Sequence, residues 1–205
     1  QGKFDKNMIV DPLDLDRYPN ARRQLIKDNA VNFMYGGLNY ADYITTVSPT
    51  YAEEVKNDFY GEGLNEVFNR RQDIFKGIVN GIDYTNYNPL TDKNIPYNYD
   101  ITTVENKSKN KLALQKELSL NEDENVCMIG LVSRLTDQKG LSLLCTIFEE
   151  MINTLNVQFV LLGQGDKKYE DSFRYFENKY KGKVSSSICF SEKRSRLIYA
   201  ASDIF

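Results

Sequence analysis

Val126-Cys127-Met128-Ile129-Gly130-Leu131-Val132-Ser133-Arg134-Leu135-Thr136-Asp137-Gln138-Lys139-Gly140 is the stretch on which the fold turns. Its first seven residues make an unbroken apolar run, the pattern of a strand covered on both faces in a parallel sheet. From Gly140 to Leu155 the pattern is that of an amphipathic helix. A strand that passes through a short loop into a helix puts that loop at the carboxyl edge of a sheet. There a helix start offers unpaired N–H groups and a positive dipole end, and open α/β sheets collect anions at such places. Arg134 and Lys139 stand five residues apart on the loop. A planar two-toothed guanidinium and a mobile ammonium are suited to hold a diphosphate from two sides. A solvated basic surface is the other reading of the same pair, and the residues alone leave both open.

Outward from this stretch the chain alternates. Strand 157–162, helix 167–180, strand 184–190, helix 192–201 and an incipient strand 203–205 follow in order, which predicts a doubly wound α/β domain. Upstream, a charged helix over 106–120 carries Leu112, Leu114 and Leu118 as its apolar stripe. Residues 83–104 shift to Asn, Asp, Tyr and Pro without periodicity and read as a connection between two domains. Phe75 to Val79 reads as a short strand ended by Asn80-Gly81, and Tyr43 to Val47 as another. Ser48-Pro49-Thr50 opens a helix, with Thr50 and Glu53 at capping-box spacing. From Ala21 to Ala41, apolar residues at three- and four-residue spacing predict one continuous helix, weakened at Gly36-Gly37. Residues 1–20 give no firm element.

The composition sets limits. The chain has 205 residues, 41 % hydrophobic and 27 % charged, with a formal charge of −3 and a pI near 5.2. That balance argues against a nucleic-acid partner, which requires a basic face. Histidine is absent, which removes a Ser-His-Asp triad, a Cys-His dyad and histidine-ligated metal from the options within the chain. Cys127, Cys145 and Cys189 are scattered in apolar surroundings and suggest neither a disulfide framework nor a zinc site. No apolar run is long enough for a membrane span, and there is no signal-type start, so a cytoplasmic setting is expected. The opening at Gln1 and the close on Ile204-Phe205, the start of a buried strand, read as those of an internal fragment.

Several segments form a set: Tyr40-Ala41-Asp42 running into Thr45-Thr46-Val47-Ser48-Pro49-Thr50-Tyr51-Ala52-Glu53-Glu54, then Gly77-Ile78-Val79-Asn80-Gly81-Ile82-Asp83, and Asn88-Pro89 with Thr91-Asp92. Together they resemble the family of bacterial glycogen synthases and plant starch synthases. Asn110-Lys111 with Leu114-Gln115, the 132–140 loop, Leu162-Gly163-Gln164-Gly165-Asp166 and Ile198-Tyr199-Ala200-Ala201-Ser202-Asp203 continue the match in the family's order, from about residue 31 to the end. The resemblance implies an α/β fold of two Rossmann-like domains of the GT-B type, both incomplete here. Residues 1–82 would then be the C-terminal part of the N-terminal, acceptor-side domain, 83–105 the crossing, and 106–205 the first half of the C-terminal, nucleotide-sugar-binding domain.

The activity so implied is transfer of glucose from ADP-glucose to the non-reducing end of an α-1,4-glucan, with retention. No cofactor and no metal are expected, and the partners are the nucleotide sugar and the glucan, with no nucleic acid, no membrane and the oligomeric state open. By resemblance Arg134 and Lys139 hold the donor diphosphate and stabilise charge as ADP departs. Asn80 lines the donor site, Gly163 and Gly165 admit close ligand approach, and Phe190 lies near the adenine. Each of these last four also has a plainer reading: a turn residue for Asn80, a simple turn for the two glycines, and core packing for Phe190. A related GT-B transferase with another nucleotide sugar, and an inactive glucan-associated relic, are the rival readings.

The chain also departs from the family's pattern. Tyr35 stands where the family usually has lysine, and Arg194-Ser195-Arg196 replaces a stretch that commonly carries histidine. The family's N-terminal lysine and glycine pair would lie before Gln1, and its two C-terminal glutamates after Phe205.

Overall fold

Residues 2–15 and 17–205 are described by the computed structural model, and the contacts divide the chain into two units with the boundary between Ile82 and Asp83. In the first unit, β1 (Lys3–Asp5) and a 3-10 turn that buries Ile9 precede α1 (Ala21–Leu25), β2 (Ile26–Lys27), β3 (Ala30–Asn32) and α2 (Phe33–Tyr40). The three strands form an antiparallel sheet in the order β1-β3-β2. The continuous helix expected over 21–41 is therefore broken by a hairpin. Asp28 and Asn29 sit at φ 51° and 60°, left-handed values that short polar side chains tolerate and that a two-residue hairpin turn demands. Ile26 pairs with Val31 across it. The apolar spacing spans two cores: Leu25, Ile26 and Val31 pack around Ile9, whereas Leu38 belongs to a separate cluster with Ile44, Val67 and Phe75.

β4 (Ile44–Thr46), α3 (Pro49–Glu54), α4 (Asp58–Gly61), α5 (Asn65–Arg70) and β5 (Phe75–Gly77) complete this unit, with β4 and β5 paired in parallel. The cap of α3 is Ser48, whose Oγ accepts from the Tyr51 N–H at 2.9 Å. Thr50 lies inside the helix, so the cap stands two residues before the expected one and the capping box of Thr50 and Glu53 is not formed, while Pro49 takes the first helical position that suits it. β5 stops at Gly77 instead of Val79. Its partner ends at Thr46 and turns into Ser48-Pro49 so closely that a Cβ on Gly77 would lie 2.0 Å from the Ser48 carbonyl oxygen. Arg71 closes α2: its two terminal nitrogens donate to the carbonyls of Leu38, Asn39 and Ala41 at 2.5–2.6 Å, which satisfies orphan acceptors of a last turn softened by Gly36-Gly37.

The second unit opens with residues 83–105, without helix or strand and shaped by side chains that accept from the backbone ahead of them. Asp83 accepts from the N–H groups of Thr85 and Asn86, and Asp100 from those of Thr102 and Thr103. Then come α6 (Asn106–Glu117), β6 (Cys127–Val132), α7 (Leu141–Thr154), β7 (Val157–Leu162), α8 (Lys167–Lys179), β8 (Val184–Ser187) and α9 (Glu192–Ala201). Strands β6, β7 and β8 are parallel and adjacent in that order. Ile204 bridges Ile129 in parallel on the free side of β6, so the chain runs outward from β6 in one direction, then returns to its other flank. The carboxyl end of β6 is thus a topological switch point, where open α/β sheets bind ligands.

β7 is buried along its whole length and alternates between two cores. Val157, Phe159 and Leu161 face α7 and α8, where Phe148 stacks on Phe176 at 4.2 Å between ring centres. Val160 and Leu162 face α6 and α9 with Leu114, Leu197 and Ile198. Burial of each such side chain contributes about 1.5–3 kcal/mol.

Of the leucine stripe read from the sequence, Leu114 is buried and Leu118 packs against the same core, but Asn110, Lys111 and Gln115 share the buried face of α6. Its polar members are satisfied. Asn110 exchanges two hydrogen bonds with the Tyr97 backbone, Lys111 donates to the carbonyls of Glu124 and Val126 and pairs with Asp203 at 2.6 Å, and Gln115 donates to Gln158 at 2.8 Å.

Candidate functional site

Beyond the carboxyl ends of β6 and β7 the two backbones continue side by side. The Ser133 N–H donates to the Leu162 carbonyl and the Leu135 N–H to that of Gln164, each at 3.1 Å, and the Asp166 N–H returns to the Leu135 carbonyl at 2.7 Å. Leu135 is fully buried beneath this loop and anchors it. The approach leaves no room for side chains: a Cβ on Gly163 would lie 1.9 Å from the Ser133 oxygen, and one on Gly165 would lie 2.4 Å from the Leu135 oxygen. Backbone packing alone therefore requires glycine at both positions.

With Leu135 buried, Arg134 is left exposed. The loop then makes a 3-10 turn over Asp137–Lys139 and reaches α7 through Gly140 at φ 68°, a left-handed value natural to glycine. Lys139 is exposed at the end of that turn. Between the two cations stands Asp137, the carboxylate placed to neutralise them. It turns instead to α8, where Lys168 donates at 2.7 Å and the buried Tyr169 adds a short hydrogen bond from its hydroxyl. Those bonds, from Lys168 first and then Tyr169, hold the Asp137 carboxyl below its ordinary range. Among the described residues the side chains of Arg134 and Lys139 have no hydrogen-bond or ion-pair partner.

Arg134 and Gly163 border an open cleft of about 660 Å³ together with Phe190. Phe190 is 87 % exposed, which rules out core packing. β8 ends at Ser187, three residues before the strand end expected from sequence, because from Ile188 onward the chain leaves the β7 edge and turns into the α9 cap at Ser191. Lys139 and Gly165 belong to the same loop system but do not border the cleft. Asn80 lies in the first unit, exposed, three residues past β5.

The cleft also contains residues that pattern reading passed over. Tyr87, from the irregular segment, and Tyr199, from α9, form part of its wall, and burial raises the Tyr199 phenol above its usual range. Tyr87 is held by Arg196, whose guanidinium carbon lies 3.6 Å from the ring centre. Arg196 is buried and also bonds the Asn86 carbonyl, Asp92 and Glu192. An arginine among the apolar residues of an amphipathic helix was the available signal, though two of its partners, Asn86 and Asp92, lie about 100 residues away in sequence. Among the described residues no group of three or more carboxylates or cysteines is disposed to hold a metal ion.

A family model described as the starch synthase catalytic domain matches residues 1–70. Along its whole length the chain is similar to the glycogen synthases of Lachnospira eligens, at 50 % identity, and Clostridium acetobutylicum, at 44 %, and covers 43 % of each. The catalytic domain of starch synthase IV from Arabidopsis thaliana, bound to ADP and acarbose, matches all of the chain with a TM-score of 0.89 at 32 % identity. The chain covers 43 % of that structure. It therefore spans less than half the length of these relatives.

Proposed function

We propose that this chain, similar along its length to bacterial glycogen synthases and a plant starch synthase, belongs to their family and forms part of a GT-B glucosyltransferase. The protein that carries it would move glucose from ADP-glucose to the non-reducing end of an α-1,4-glucan with retention. In this reading each unit is a portion of one Rossmann-like domain. Gly163, Gly165 and Phe190 of the second unit belong to the donor site. The neighbour's bound ADP supports an adenosine diphosphate over other nucleotides. Three free, partly buried thiols fit a cytoplasmic location.

The observation that carries the proposal is the cationic loop at the switch point: Arg134 and Lys139 exposed and unneutralised, with Asp137 engaged by α8. When the anomeric C–O bond of the donor breaks, negative charge grows on the β-phosphate oxygen. Fixed cations bind that state more tightly than the ground state and so accelerate the step. Arg134 offers paired N–H donors to the diphosphate, and Lys139 a mobile charge to the oxygen that departs. The acceptor hydroxyl bonds to the anomeric carbon from the same face, and its proton passes to the leaving phosphate oxygen. This preserves configuration without a metal. Phe190, freely exposed beside the loop, is shaped to stack on a base.

The test is incorporation of labelled glucose into glycogen by the whole transferase, with ADP-glucose and UDP-glucose compared. Lys139→Ala should lower turnover by orders of magnitude with little change in fold. Near-normal turnover would remove the role assigned to the loop, and preference for the uridine donor would remove the assignment of donor.

A further inference from the structure

The first unit contains a second cationic cavity that the transfer reaction does not use. About 270 Å³ in volume, it is lined by Arg23, Gln24, Tyr35, Asn39, Arg70 and Arg71. Local structure explains the gathering. α1 supplies Arg23 and Gln24, α2 supplies Tyr35 and Asn39, and Arg70 and Arg71 stand at the end of α5. Asn39 ties the three together: its amide nitrogen donates to the Gln24 carbonyl at 3.0 Å, and its oxygen accepts from Arg70 at 2.6 Å.

Among the described residues no carboxylate lines the cavity, although residues 1–82 hold twelve acidic side chains against ten basic ones. Arg71 is partly compensated by the negative end of α2, whose carbonyls occupy its terminal nitrogens. Among the described residues Arg70 has only the neutral Asn39, and Arg23 has no side-chain partner. Three guanidinium groups around one small space repel each other unless an anion joins them.

We propose that this cavity is a binding site for a phosphate-type oxyanion. Arg23 and Arg70 would supply N–H donors, Arg71 a fixed charge behind them, and Gln24 and Tyr35 neutral donors at the rim. Guanidinium forks converging from separate helices fit a tetrahedral dianion with acceptors on every side, whereas a planar carboxylate is served by one fork. The volume is several times the ~30 Å³ of a water molecule and leaves room for the ester oxygen of a phosphomonoester. The proposal does not depend on the glucosyltransferase reading.

Calorimetric titration of the full chain tests it, in an Arg134→Gln, Lys139→Gln background that silences the β6 loop. Inorganic phosphate and glycerol phosphate are the two probes, at constant ionic strength. The expected result is saturable one-to-one binding, weakened about tenfold by Arg23→Gln or Arg70→Gln and unchanged by Lys76→Gln, which removes a charge on β5 outside the cavity. Binding of phosphate alone would assign a free ion as occupant, and equal binding of the ester a phosphorylated metabolite. Absence of saturable binding, or equal affinity in all variants, would overturn the proposal. Arg23 is exposed on a short helix, so Arg23→Gln keeps the test readable should Arg70→Gln disturb folding.

Discussion

The guanidinium of Arg196 lies over Tyr87, 3.6 Å from carbon to ring centre, and so fixes a wall of the cleft to α9. Its charge is matched by Asp92 and Glu192. Arg196→Ala strands the buried Asp92 carboxylate and frees Tyr87. The variant should lose about 3 kcal/mol in urea unfolding. A loss below the error of the measurement would show that the segment 83–105 is held by other contacts.

Gly163 and Gly165 are set by backbone approach, so Gly163→Ala forces the 133–135 loop away from β7. The expected cost is about 2–3 kcal/mol, together with weaker ADP binding. Gly140→Ala, strained only by its φ of 68°, should cost about 1 kcal/mol. The order of the two thermal midpoints checks the distinction between clash and strain.

Phe190→Ala should separate stability from binding. At 87 % exposure its removal should change the unfolding free energy by less than about 0.5 kcal/mol. Loss of stacking on adenine should weaken ADP about tenfold. Unchanged ADP affinity would exclude Phe190 from the donor site.

The Asp137 carboxyl is held low by Lys168 and Tyr169, so it ionises more readily in the folded chain than in the unfolded one. Its contribution is present above about pH 4, the range of a free carboxyl, and is lost as the pH falls through the lower, folded value. Asp137→Asn should therefore unfold more easily than the parent at neutral pH, with the difference closing in acid. Because the ion pair with Lys168 is exposed, the effect is small and shrinks with salt. Thermal midpoints at several pH values and two salt concentrations would measure it.

Much of the second unit was legible because its signals are local. The apolar run of β7 and the strand–helix alternation that places α9 need no distant partner, and both elements stand within a residue of their sequence bounds. The hairpin at Asp28-Asn29 was hidden by apolar residues that happen to repeat at helical spacing while belonging to two cores. α6 misled for the opposite reason: Asn110, Lys111 and Gln115 look like surface residues until Tyr97, Asp203 and Gln158 arrive to satisfy them. At the site, Arg134 and Lys139 were visible as cations between strand and helix. The reason they stay unneutralised was not visible, since Asp137 is drawn off by residues some 30 positions later. Tyr87 gave no signal because irregular backbone has no period from which to infer a facing direction.

The polar seam beneath α6 bears on how accurately this half of the chain assembles. A greasy helix can slide by one turn on a greasy sheet with little penalty, since oil meets oil in either position. A one-turn slip of α6 would instead part the buried Lys111 ammonium from Asp203 and leave the buried Gln158 without the Gln115 amide. Misdocked arrangements are thereby penalised more heavily than the correct one is favoured, and the seam acts as a proofreading key for the domain.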